Sequence, residues 1–229
     1  MVKSFLVVIV AFCFSVFKVA AIPDPKDAAH RIYVAVDAKI MAAEKMRQFG
    51  FLYLQRSSDA DVYYTNDNVR AILGANAPAI AELPSLYDQG PWPNLSPVEG
   101  PVHSNMRVAG PNAKEKEDPK TNVGHAEQKM LMEFDKMVEG VFGSDGDKLK
   151  ECPAFIILGT KLFPCYKAEN VGCGQYFIER TKKVFNQCTS EATRDSFLYL
   201  YSRDNSDNDW HKQRDNFKQN GIKIIFGPQ

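Results

Sequence analysis

The sequence predicts an α/β fold, a three-layer α/β/α arrangement around a mixed sheet of about five strands. Three observations lead there. Several segments repeat apolar residues at helical spacing, short β-branched and aromatic runs lie between them, and from residue 154 onward strand and helix alternate. The composition, 45% hydrophobic and 24% charged over 229 residues, is that of one globular domain with long loops.

The first residues stand apart from that domain. Lys3 precedes an apolar run from Phe5 to Phe17, and Val19-Ala20-Ala21 supplies small residues before Ile22-Pro23, which reads as a secretory signal peptide over residues 1–21. The run is shorter than the roughly 20 residues a helix needs to cross a bilayer. The expected product is secreted and extracellular, with no membrane attachment after cleavage. Removing Lys3 and Lys18 leaves 26 basic and 28 acidic residues, a net charge of −2. That balance gives no overall electrostatic footprint for a polyanion.

Behind the leader, residues 22–49 read as an N-terminal helical region and 50–229 as the main domain. Ala29, Ile32, Val36, Ile40 and Met41 fall at roughly helical spacing, and Gly50 is the expected helix stop. "FLYLQ" at 51–55 and "DVYYT" at 61–65, separated by "RSSDA", read as a β-hairpin. Residues 83–122 are rich in proline and glycine with little periodicity, an insert inside the domain. Within it Asn94-Leu95-Ser96 fits the N-glycosylation triplet, followed directly by Pro97.

The pattern then sharpens. Ala126, Met130, Leu131, Phe134, Met137, Val138 and Val141 form one apolar stripe, predicting a helix over about 125–141 that Gly143 and "SDGD" end. "AFIILGTKLF" at 154–163 predicts a buried strand, "QYFIERTKKVF" at 175–185 a helix, and "SFLYLYS" at 196–202 a strand. "DNDWHKQRDNFKQ" predicts a last helix stopped by Gly221, followed by the strand "IKIIF" at 222–226. These last three strands should pair in parallel, because each connection is long enough for a crossover.

The layout places chemistry at one edge. Helices that begin at the carboxyl ends of neighbouring strands converge there. His125 opens one helix, Pro164-Cys165 closes a strand, and Cys173 opens the next helix. Together they would give three ligands and an open fourth position, the coordination of a hydrolytic zinc. Glu127, beside them and not needed as a ligand, could move protons. His30 and His103 lack partners at ligand spacing, and His211 lies beside Trp210, so packing or surface roles suit them. Tyr53, Tyr63, Tyr64 and Phe163 read as sheet core, and "ERTKK" at 179–183 as the solvated face of a helix.

"HAEQ" at 125–128, then Pro164-Cys165 and Cys173, on helix, strand and helix in that order, resembles the zinc-dependent cytidine deaminase superfamily, whose signature is H-x-E followed by P-C-x-x-C. The element order is similar over residues 50–226, while the motif itself covers 125–127 and 164–173. The resemblance implies a cytidine-deaminase-like sheet, Zn2+ held by His125, Cys165 and Cys173, and Glu127 as the catalytic proton carrier. It further implies a secreted deaminase-like hydrolase whose substrate is a nucleobase, a nucleoside or a single-stranded nucleic acid. A helix between the last two strands resembles the branch with a parallel final strand, which includes nucleic-acid editors.

One departure concerns the cysteines. The family separates them by two residues and this chain by seven, which on a continuous helix would hold the two about 12 Å apart. The site therefore requires Tyr166 to Gly172 to loop out and the helix to begin near Cys173.

After leader removal four cysteines remain, which allows three disulfide pairings on arithmetic alone. Cys152 lies just before a strand and Cys188 just after the next helix, both at the edge opposite His125, so they are placed to pair. Cys165 and Cys173 either bind zinc or oxidise to each other. In the second case the chain is a catalytically inactive, disulfide-bonded secreted protein of the same fold, with a binding or extracellular-matrix role.

Overall fold

The computed structural model describes residues 24–42, 49–58, 105–109, 125–131, 134–165, 172–188, 197–204 and 210–228. The expected leader, the strand at 61–65, Asn94 and His103 lie outside them, as does most of the proline-rich insert.

In chain order the described elements are α1 (Pro25–Ala42), β1 (Gly50–Arg56), β2 (Met106–Ala109), α2 (Ala126–Leu131), α3 (Phe134–Phe142), β3 (Ser144–Asp145), β4 (Lys148–Leu149), β5 (Pro153–Leu162), α4 (Cys173–Cys188), β6 (Leu198–Asp204), α5 (Trp210–Gln219) and β7 (Ile222–Phe226). The main sheet runs β2-β1-β5-β6-β7. β1 is antiparallel to both β2 and β5, whereas β5-β6 and β6-β7 are parallel, so the sheet is mixed and five-stranded as expected.

Pleating decides which side chain faces which layer. On β1 and β5, Phe51, Tyr53, Phe155 and Ile157 turn to one face, where they pack with Ala28, Ala29, Ile32, Tyr33 and Val36 of α1. The alternate residues Leu52, Leu54, Ile156 and Leu158 turn to the other face and meet the apolar stripes of α2 to α5. β5 is buried on both faces from Phe155 to Thr160, which accounts for its unbroken apolar sequence. The stripe read from the sequence is the buried side of α2 and α3, with Met130, Leu131, Phe134, Met137, Val138 and Val141 all in the core. Helix is present over 126–131 and 134–142, and Gly143 ends it at a φ of 69°. Gly221, at 72°, ends α5 in the same way.

Three expectations need correction. Gly50 does not stop a helix but begins β1, and a Cβ there would lie 2.5 Å from the Met130 methyl, so glycine is what lets α2 lie close over the strand. The strand beside β1 is Met106–Ala109, from within the segment read as irregular. "SDGDKL" does more than end a helix: Ser144-Asp145 and Lys148-Leu149 pair as a small hairpin with Gly146 at a φ of 61°.

Cys152 and Cys188 form a disulfide across a sequence separation of 36, at the end of the sheet where β5 starts. Among the described residues no helix is long and apolar enough to cross a membrane.

A disulfide closing a loop of this length contributes about 2–4 kcal/mol. The double substitution Cys152→Ala, Cys188→Ala should therefore lower the unfolding midpoint by roughly 5–15 °C. Calorimetry of the two proteins checks this.

Candidate metal centre

The parallel ladder β5-β6-β7 obliges the chain to return to the same end of the sheet before each strand, so β5 and α4 meet at the carboxyl edge of the strands. β5 finishes at Leu162, Phe163 turns into the core, and Pro164-Cys165 follow at the rim. α4 begins at Cys173 itself, the arrangement that the seven-residue spacing required. Its first turn is held to the rim by two backbone donors: Cys173 N–H donates to Cys165 Sγ at 3.4 Å, and Gly174 N–H to the Cys165 carbonyl at 3.4 Å. The helical segment α2 packs beside α4 and over β1, with His125 immediately before its first residue.

These three elements bring the expected donors together. His125 Nδ1 lies 3.2 Å from Cys173 Sγ and 3.7 Å from Cys165 Sγ, and all three donor atoms lie within 4.8 Å of one another. Zinc bonds of about 2.3 Å to sulfur and 2.0 Å to nitrogen, at tetrahedral angles, separate the two atoms by about 3.5 Å. The two observed separations bracket that value, so one ion fits between them. Two thiolates would also balance the two charges of such an ion, which lowers the cost of burying it. Cys165 is half-buried and Cys173 fully buried, and both are free of disulfide bonding.

Glu127 completes the cluster. It is 2% exposed, and its Oε2 is buried without a hydrogen-bond partner. An acid so placed has lost its water and gained little in return. Burial therefore pushes its pKa up to about 7, against the opposing pull of its own backbone N–H, the His125 charge and a hydrogen bond from Cys173. A divalent cation at the three donors would draw it back down.

The surroundings push the two thiols in opposite directions. The Cys165 thiol is pushed down to about 4, first by the hydrogen bond from Cys173 and then by His125 and the Cys173 backbone N–H, against burial. Cys173 is pushed up by Cys165, by burial and by the Glu127 charge. Cys165 is the sulfur on which negative charge rests.

The other residues read from the sequence fall elsewhere. His30 Nδ1 sits 3.1 Å from the Tyr201 hydroxyl on the α1 face, and the His211 ring lies 3.8 Å from that of Trp210, both packing roles as expected. Tyr53 and Phe163 are core, and Glu179, Lys182 and Lys183 are exposed on α4. Cys152 and Cys188 are bonded at the far edge and take no part in the cluster.

One neighbour of the site was missed. Gln213 of α5 is fully buried, and neither end of its carboxamide has a hydrogen-bond partner. It lies against α4 just after Cys173, where a Cβ on Gly174 would be 1.8 Å from its Nε2. Its signal was a polar residue on the apolar side of a helix, three after Trp210 and four before Phe217.

Compared with known proteins, the chain matches no protein-family model, no curated protein and no solved structure.

Cobalt(II) titration gives the direct check on these donors. The wild-type chain should take up one ion with sulfur-to-cobalt charge-transfer absorption, while Cys173→Ser and His125→Ala each bind at least about 100-fold more weakly. Equal uptake by the variants would place the ion elsewhere.

Proposed function

We propose that this chain is a zinc-dependent, deaminase-like hydrolase, exported from the cell, that removes an amino group from a nucleobase, a nucleoside or a single-stranded nucleic acid. The observation that carries this reading is the buried Glu127 carboxyl, with an unpartnered oxygen, beside three metal donors. Burying a carboxyl with one oxygen unpartnered costs stability, so its presence there suits a task better than a scaffold.

His125, Cys165 and Cys173 would hold the ion, each from a different element. When bound, zinc supplies Lewis acidity that lowers the pKa of water toward neutrality. Glu127 accepts the proton of the attacking water at Oε2 and delivers it to the departing amine. Glu127 is 2% exposed, which keeps that carboxyl out of bulk water between the two transfers.

Order along the chain supports the deaminase class: His-x-Glu on a helix, a Cys after the central strand, a second Cys opening the next helix, and a parallel last strand. The Cys152–Cys188 bond and the apolar leader support export, because disulfides persist in oxidising compartments.

Zinc analysis of the purified chain should find one ion, and ammonia should be released from one of the substrate classes named. Glu127→Gln should keep the zinc and lose about 10²–10⁴-fold in rate. Ammonia release that survives this substitution would reject the role given to Glu127. A chain without zinc, with all four sulfurs in disulfides, would leave the inactive secreted protein with a binding or matrix role.

A further inference from the structure

The four sulfurs that follow the leader divide by position. One pair is bonded at the edge where β5 starts, and the other lies unbonded at the edge where it ends. We propose that Cys165 and Cys173 are also a thiol–disulfide exchange couple, in which Cys165 reacts with a small external disulfide of the glutathione class and Cys173 completes the bond. This rests on the metal reading: the atoms that would hold the ion are the atoms oxidation would withdraw, so the couple would regulate the site.

Position and burial carry the assignment. The two sulfurs are within 4.8 Å of each other, and the Cys173 N–H already donates to Cys165 Sγ at 3.4 Å. α4 starts at Cys173, so the shift needed to close the bond falls on the rim rather than inside the helix. Exposure gives the order of events. Cys165 is half-buried, whereas Cys173 is fully buried. A bulky disulfide can reach the first sulfur and not the second. Among the described residues, Cys165 is the free sulfur that the buried one can meet.

The exchange balances without any further reactant. Cys165 Sγ attacks one sulfur of oxidised glutathione, the glutathione S–S bond breaks, and one glutathione leaves while the other stays joined to Cys165. Cys173 Sγ then attacks Cys165 Sγ and the second glutathione leaves. Two protein thiols lose two electrons and two protons. One glutathione disulfide gains them and becomes two glutathione thiols.

The test uses the chain as it is after leader removal, with its zinc content measured first. Oxidised glutathione is added, thiols are blocked with an alkylating agent, and each cysteine is located by peptide mass. The expected result is loss of both free thiols, a Cys165–Cys173 bond and release of any bound zinc, all reversed by reduced glutathione. Cys173→Ser should stop at one glutathione on Cys165. Cys165→Ser should slow modification of Cys173 by at least about tenfold. A wild-type chain that keeps its zinc and both alkylatable thiols overturns the couple and leaves the metal reading standing. A chain without zinc whose thiols still exchange overturns the metal reading and leaves the couple. Modification of Cys173 at the wild-type rate in Cys165→Ser overturns the order of attack.

Discussion

The position of β5 governs the rest of the molecule. Among the described residues it is the only strand of the main sheet paired antiparallel on one side and parallel on the other, to β1 and β6. A parallel neighbour cannot be reached by a tight turn, so the chain leaving β5 has to build α4 and return before β6 can pair. That obligation fixes where Cys165 leaves the sheet and where Cys173 enters the helix. The placement of the two candidate sulfur donors is thus a by-product of strand direction.

The cluster itself is a compromise among charges in a poorly solvated place. A carboxyl pushed toward its neutral form adjoins an imidazole and two sulfurs whose donor atoms lie within 4.8 Å of one another. Each group alone is costly to bury, and together they offset one another only in part, as the unpartnered Glu127 oxygen shows. A positive ion would convert the whole set into mutually favourable contacts. The same closeness, within 4.8 Å, is what lets the two sulfurs be read either as candidate metal donors or as a candidate disulfide.

Much of this was legible in the sequence where one periodicity dominated. The stripe from Ala126 to Val141 and the apolar run of β5 each have one reading, because burial on one side or on both leaves a distinct pattern. The parallel order of the last three strands followed from connection length alone. The convergence of His125, Cys165 and Cys173 followed from that order. What stayed hidden depended on partners. Met106–Ala109 is four residues long and is a strand because β1 offers it a backbone ladder, not because its own pattern demands one. Gly50 reads locally as a stop, and only the approach of Met130 explains why it opens a strand instead. Gln213 shares a helix face with Trp210 and Phe217, and only its contact with Gly174 of α4 ties it to the site.

The Cys152–Cys188 bond joins the residue just before β5 to the last residue of α4. Together with the polypeptide between them it closes a covalent ring that holds the central strand, its rim and the following helix. A protease that cut the backbone at any point on this ring would produce two fragments of one molecule still tied together, both cluster cysteines included. Only a reductant would let them drift apart, and a gel run without one would show a single band.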